Sequence, residues 1–145
     1  MSSAELARLA EAGHLQREPA SREEIEGLVR HAAARLADAH REELSPESRF
    51  DLAYNAAHAL ALAALRRRGY RTGKRYFVFL ALPHTLGTPA ATWRLLAKCH
   101  ELRNRAEYEG LGEIDATLLA GLLAATDELL DAVNALPAVP DELDS

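Results

Sequence analysis

One segment of this 145-residue chain concentrates side chains that do chemistry: Cys99-His100-Glu101-Leu102-Arg103-Asn104-Arg105-Ala106-Glu107-Tyr108-Glu109-Gly110. On a helix, residues four apart share a face. Arg103 therefore lies over Glu107 and Asn104 over Tyr108, with His100 one turn before Asn104. Arg103 also borders the apolar positions Leu96, Cys99 and Leu102, which places it at the rim of a core. A guanidinium there can hold a phosphate with two parallel hydrogen bonds or stabilise a developing phosphorane. Asparagine can orient a ribose or phosphate oxygen, and tyrosine can donate a hydrogen bond or stack on a base. Spacing alone leaves another reading open. Arg103–Glu107 fits an ordinary intrahelical ion pair, worth about 0.2–0.5 kcal/mol, and Tyr108 can pack beneath the following loop.

A second group lies upstream. Arg66, Arg67, Arg68, Arg71, Lys74 and Arg75 are interleaved with Tyr70 and Tyr76. Arg66, Arg67, Arg71, Lys74 and Arg75, together with Arg105, are candidate contacts to RNA phosphates, and the tyrosines are candidates for stacking on bases. The alternative is a solvated loop. Net charge is −5 overall, which argues against a nucleic-acid-binding surface spread over the whole protein, yet residues 66–105 carry ten Lys or Arg against one acid, Glu101. Such asymmetry suits an anionic partner, or acidic helices of the same fold.

Tyr54, Asn55 and His58 form a third set on the most apolar stretch of the chain, with Tyr54 and His58 one turn apart. With His100 they are candidate lining for a small pocket; a hydrogen-bonded core histidine is the alternative for His58. Other chemistries lack their signatures. Gly69 to Arg75 resembles a phosphate loop, but its glycines are too close, Arg75 stands where Ser or Thr is required, and no strand precedes it. Cys99, His100 and His84 have no paired metal-ligand spacing, and adjacent helical residues point about 100° apart. Neither a metal nor a cofactor is expected. Cys99 reads as a core thiol, and no local Ser/His/Asp pattern is present.

The elements that position these residues are helical. Alanine and leucine dominate the 48% hydrophobic content, and aromatics are only 6%, so composition favours helix over sheet. A short helix spans residues 3–13 and ends at Gly13. Ser21 and Glu24 form a capping box for a helix reaching about Arg41. Ser45-Pro46 opens the central helix, which runs to about Arg68 and is stopped by Gly69. Tyr76–Leu82 reads as a short helix, because a lone strand has no partner. Thr88-Pro89 opens the helix that carries the Arg103 segment, and Asp115 caps the last one. The expected fold is all-α, an antiparallel four- to five-helix bundle forming one domain over 1–145, with its core about 20–136 and a flexible acidic tail over 137–145. A single cysteine suits a reducing compartment. No signal-like segment and no apolar run of membrane length is present, so the expectation is a soluble cytoplasmic protein with no membrane association.

With these motifs in hand, the chain resembles the HEPN domains, in particular a bacterial branch marked by an Arg-Asn-x-Ala-Glu-Tyr-x-Gly signature. Arg103, Asn104, Ala106, Glu107, Tyr108 and Gly110 stand in that pattern. Ser45-Pro46-Glu47 through Tyr54-Asn55-Ala56-Ala57, closing on Arg68-Gly69-Tyr70-Arg71, is similar to that branch's second block. The resemblance covers most of residues 20–136. It implies an antiparallel helical bundle, a homodimer, and a metal-independent ribonuclease of a toxin–antitoxin or defence system. It makes Arg103 the catalytic arginine and Asn104 its polar neighbour, with Tyr108 and Glu107 completing the site. The family's histidine position falls on Tyr108. An imidazole shuttles protons near neutral pH, whereas an unperturbed phenol has a pKa near 10; Glu107, His100 and His58 are the other candidate proton acceptors. The alternative is a catalytically inactive helical module that dimerises or docks a partner, such as a nucleotidyltransferase-like protein.

Overall fold

The computed structural model of the chain describes residues 3–109 and 114–139; the side chains of residues 3 and 106–109 fall outside that description. Within it the protein is all-α apart from one two-stranded ladder. The elements are α1 (Ser3–Glu11), β1 (Gln16–Arg17), α2 (Arg22–Ala39), α3 (Pro46–Arg67), β2 (Tyr70–Arg71), α4 (Arg75–Leu80), α5 (Leu82–Thr85), α6 (Ala90–Glu109) and α7 (Ala116–Asn134).

Local chemistry sets the ends of these helices. The Ser21 hydroxyl accepts from the Glu24 N–H, Ser45 from Ser48, and the Asp115 carboxylate from Leu118, so three helices start where a side chain satisfies an otherwise orphaned donor. The capping box at Ser21 is only half made. The Glu24 carboxylate sits instead on the Arg66 guanidinium, Nε to Oε2 at 2.6 Å. Gly13 and Gly69 have φ of +85° and +84°, a conformation that glycine adopts without strain.

α3 is the axis. It packs against α2, α7, α4, α5 and α6, and its Phe50, Ala53, Tyr54, Ala57, Leu60 and Ala61 are all buried. The run of alanines lets neighbouring helices approach closely on several sides, while Leu36, Leu96, Leu122 and Leu129 fill the spaces between. Cys99 is fully buried in this core, and burial pushes its thiol up to about 12.

Three features depart from expectation. The core does not begin near residue 20: Leu6 and Leu15 are buried against Leu65, Tyr70 and Ala81. Nor does it stop at 136, since Val139 packs against Ala20, Ile25 and Ala63; residues 140–145 lie outside the described part. The connector after Gly69 is not a plain loop. Arg17 pairs with Tyr70 and Gln16 with Arg71 in an antiparallel ladder, which ties the segment after α1 to the end of α3. Among the described residues, no helix is long and apolar enough to cross a membrane.

Candidate functional site

Along α3, residues 51, 54, 55 and 58 recur on one face of an otherwise alanine-rich helix. That face looks onto α4 and α6, and side chains from all three helices meet there. The Tyr54 ring is fully buried, yet its hydroxyl is hydrogen-bonded to His100 Nδ1 at 2.9 Å. The other ring nitrogen of His100, Nε2, lies 3.2 Å from Asn104 Nδ2. A continuous chain therefore runs Tyr54–His100–Asn104 from the core to the exposed side of α6. It suits either neutral tautomer. With the Asn104 amide donating to Nε2, the ring proton sits on Nδ1 and is donated to the Tyr54 oxygen. With that amide reversed, Nε2 donates to Asn104 and Nδ1 accepts from the Tyr54 hydroxyl.

Two guanidinium groups border this chain. The Arg103 Cζ lies 5.3 Å from the centroid of the Tyr54 ring and the Arg75 Cζ 5.8 Å, within cation–π range. Arg103 Nε also donates to Asp51 Oδ1 at 2.8 Å. This bond ties Arg103 to α3, one turn before Tyr54. Phe79 closes the apolar side, with ring centroids 5.9 Å from Tyr54, 6.3 Å from His100 and 6.1 Å from His58.

This packing sets the protonation of the site. Burial pushes the Tyr54 hydroxyl above the ordinary phenol range, against the opposing pull of Arg75 and Arg103. Tyr54 therefore stays a neutral phenol. Burial, reinforced by Arg75 and His100, lowers His58 to about 4. His58 is a neutral imidazole at physiological pH, a poor base and a space-filling partner of Phe79.

The sequence candidates thus divide. Arg103, Asn104, Tyr54, His58 and His100 come together, and Arg75 joins them from the basic stretch. Asn55 is next to this set, but its amide donates to the Asp51 carbonyl at 2.9 Å. The side chains of Glu107 and Tyr108 lie outside the described residues, as does Gly110.

The rest of the basic stretch does not form one RNA-facing loop. Arg66 is 4% exposed. It donates to both Glu24 carboxylate oxygens and to the carbonyls of Glu18, Pro19 and Tyr70, so it is a structural cation with no face for RNA. Arg71 pairs with Glu18 at 3.2 Å. Arg67 lines a groove with Ile25, Val29, Val133 and Val139. Lys74 is exposed, its Nζ 5.9 Å from the Phe77 ring centroid, and Arg105 is exposed beside Asn104. Tyr70 is buried, with its hydroxyl accepting from Arg17, and so offers no stacking face.

Asp51 and Phe79 were missed in the sequence. Asp51 had a signal: it is an acid one turn before Tyr54 on the same helix face. Phe79 had none, since any aromatic of the 76–82 run would have served. Among the described residues, no three His, Cys, Asp or Glu side chains converge as a metal-ligand set. No family model, curated protein or solved structure matches the chain.

Proposed function

We propose that the chain is a HEPN-like, RNA-directed protein whose site is the cluster of Arg75, Arg103, His100, Asn104 and Tyr54, acting on a phosphodiester without a metal. One observation carries the reading: an imidazole bonded through both ring nitrogens to Tyr54 and Asn104, beside two guanidinium groups. The resemblance lacks a histidine at Tyr108. His100, one turn on the other side of Asn104, supplies an imidazole to the same face of α6.

In this reading Arg75 and Arg103 neutralise the non-bridging phosphate oxygens and the charge that grows on them. Phosphate competes with Asp51 for the Arg103 fork. Asn104, on the exposed side, swings from His100 Nε2 to the sugar. The imidazole then takes the 2′-hydroxyl proton, the 2′-oxygen bonds to phosphorus, and the bond to the 5′-oxygen breaks as water gives that oxygen a proton, the imidazolium returning its own proton to water. The products are a 2′,3′-cyclic phosphate and a 5′-hydroxyl end. Positioned acid–base catalysis of this kind contributes about 10²–10⁴-fold. Lys74 and Arg105 extend the positive surface to neighbouring phosphates. The setting is cytoplasmic, and a homodimer placing two copies of the site across a two-fold axis fits the family likeness, as does a role in a toxin–antitoxin or defence system.

The test is cleavage of single-stranded RNA in chelator, comparing wild type with Arg103→Ala, His100→Ala and Tyr108→Phe. The first two are expected to lose cleavage while Tyr108→Phe retains it. Absence of both cleavage and low-salt RNA binding in the wild type overturns the reading.

A second reading has its own observation. The Arg103–Asp51 and Tyr54–His100 bonds both bridge α3 and α6, as a clasp in a catalytically inactive dimerisation or partner-docking module does. It expects Arg103→Ala to lower the melting temperature and to leave RNA binding as it was.

A further inference from the structure

Tyr76 is the one large apolar side chain exposed among the described residues, at 43%. Its helix, α4, buries Val78 and Phe79, so the same short element that fills the core also presents an aromatic ring to solvent. The ring is not loose. It meets Phe77 edge-on, with centroids 5.5 Å apart and planes at 83°. Phe77 is in turn stacked flat on His14, at 4.1 Å and 11°. These contacts brace Tyr76 from one side. On another side its centroid is 6.5 Å from the His100 ring, and the residue before it is Arg75.

Resting on the proposed phosphodiester site, we infer that Tyr76 is a stacking platform for an unpaired base of the nucleotide whose phosphate Arg75 and Arg103 hold. A braced aromatic ring beside guanidinium groups is the arrangement by which proteins bind single-stranded nucleic acid, base on ring and phosphate on cation. A base within a duplex already has both faces covered and cannot stack there. Tyr76 therefore makes the site selective for unpaired RNA, and tolerant of sequence because every base has a π face. Tyr70, the other aromatic of the basic stretch, is buried and takes no part.

The experiment is fluorescence anisotropy at low salt with a labelled octauridylate, an octaadenylate and an RNA duplex of the same length. Wild type is compared with Tyr76→Ala, Tyr76→Trp and Arg75→Ala, each checked for helicity by circular dichroism. Tyr76→Ala is expected to weaken single-strand binding about 5- to 150-fold, the range of one base–aromatic stack, with the salt dependence unchanged because no phosphate contact is lost. Tyr76→Trp is expected to retain binding, and Arg75→Ala to weaken it with a shallower salt slope. If wild type binds RNA and Tyr76→Ala binds equally well, or if duplex binds as tightly as single strand, the stacking role is wrong while the phosphate site stands. If wild type binds none of these RNAs, the phosphate site falls and the stacking role with it.

Discussion

Replacing Arg66 should cost more stability than replacing any other member of the basic stretch. Its side chain is 5% exposed and touches two carboxylates, Glu24 at 2.6 Å and Glu18 at 3.3 Å. It also donates to the carbonyls of Glu18, Pro19 and Tyr70. Arg66→Met keeps much of the aliphatic stem and removes every one of these bonds. Breaking a fully buried pair costs about 3–5 kcal/mol. Here the two glutamates are 42% and 49% exposed, so water recovers part of their loss. The three carbonyls belong to backbone that wraps the end of α3, and at least one stays dry at a cost of about 1–3 kcal/mol. The net expectation is a loss of about 3 kcal/mol, or a melting temperature lower by roughly 6–12 °C for a chain of this size. Arg66→Lys should recover little, because a point charge cannot serve carbonyls and carboxylate together. Urea unfolding followed by circular dichroism reads the change as a shift in midpoint at constant slope. Arg71→Met, which removes only a half-exposed pair to Glu18, should stay within about 1 kcal/mol of wild type. Equal effects of the two substitutions, or a loss under about 1 kcal/mol for Arg66→Met, would refute the assignment of Arg66 as a buried organising cation.

Two further outcomes are expected. His58 is held at about 4 from an ordinary value of 6.5, so the unfolded chain takes up its proton first as pH falls. The stability lost begins near pH 6.5, reaches about 2 kcal/mol at pH 5, and is complete below pH 4; His58→Gln should flatten the urea midpoint across that window, and a wild-type midpoint that does not move between pH 6.5 and pH 4 would count against the burial argument. Leu6 is fully buried, so Leu6→Ala should cost about 2–5 kcal/mol in the same unfolding assay, whereas a dispensable N-terminal helix would tolerate it.

The helix boundaries were legible because caps are local. Ser21, Ser45 and Asp115 each act on an N–H three residues away, and Gly69 acts on its own backbone. The central position of α3 was legible for a related reason: apolar residues on more than one face of a helix require neighbours on more than one side. What stayed hidden was partner choice across the chain. Nothing in the run Arg66-Arg67-Arg68 distinguishes the residue that turns inward from its neighbours, because that depends on carbonyls 47 and 48 positions earlier. The Gln16–Arg17 and Tyr70–Arg71 ladder is two residues long on each side, too short for alternation to register. Glu24 carried a correct local signal at Ser21, and a long-range cation outcompeted the reciprocal half of it.

The candidate site shows the same division between local and distant cues. Position counting along α6 gives Arg103, Asn104 and Tyr108 and then meets a phenol where the family pattern has an imidazole. Helix geometry removes the apparent dead end. His100 and Tyr108 stand four residues to either side of Asn104, so a turn in either direction reaches the same face. On the His100 side a second helix contributes. Tyr54 of α3 reaches His100 Nδ1, fixes the ring against Phe79, and leaves Nε2 directed at Asn104. An imidazole so held, with each ring nitrogen on a polar partner, has the fixed orientation that proton transfer requires. Because that orienting partner is built into α3, the proposed proton transfer is placed on His100.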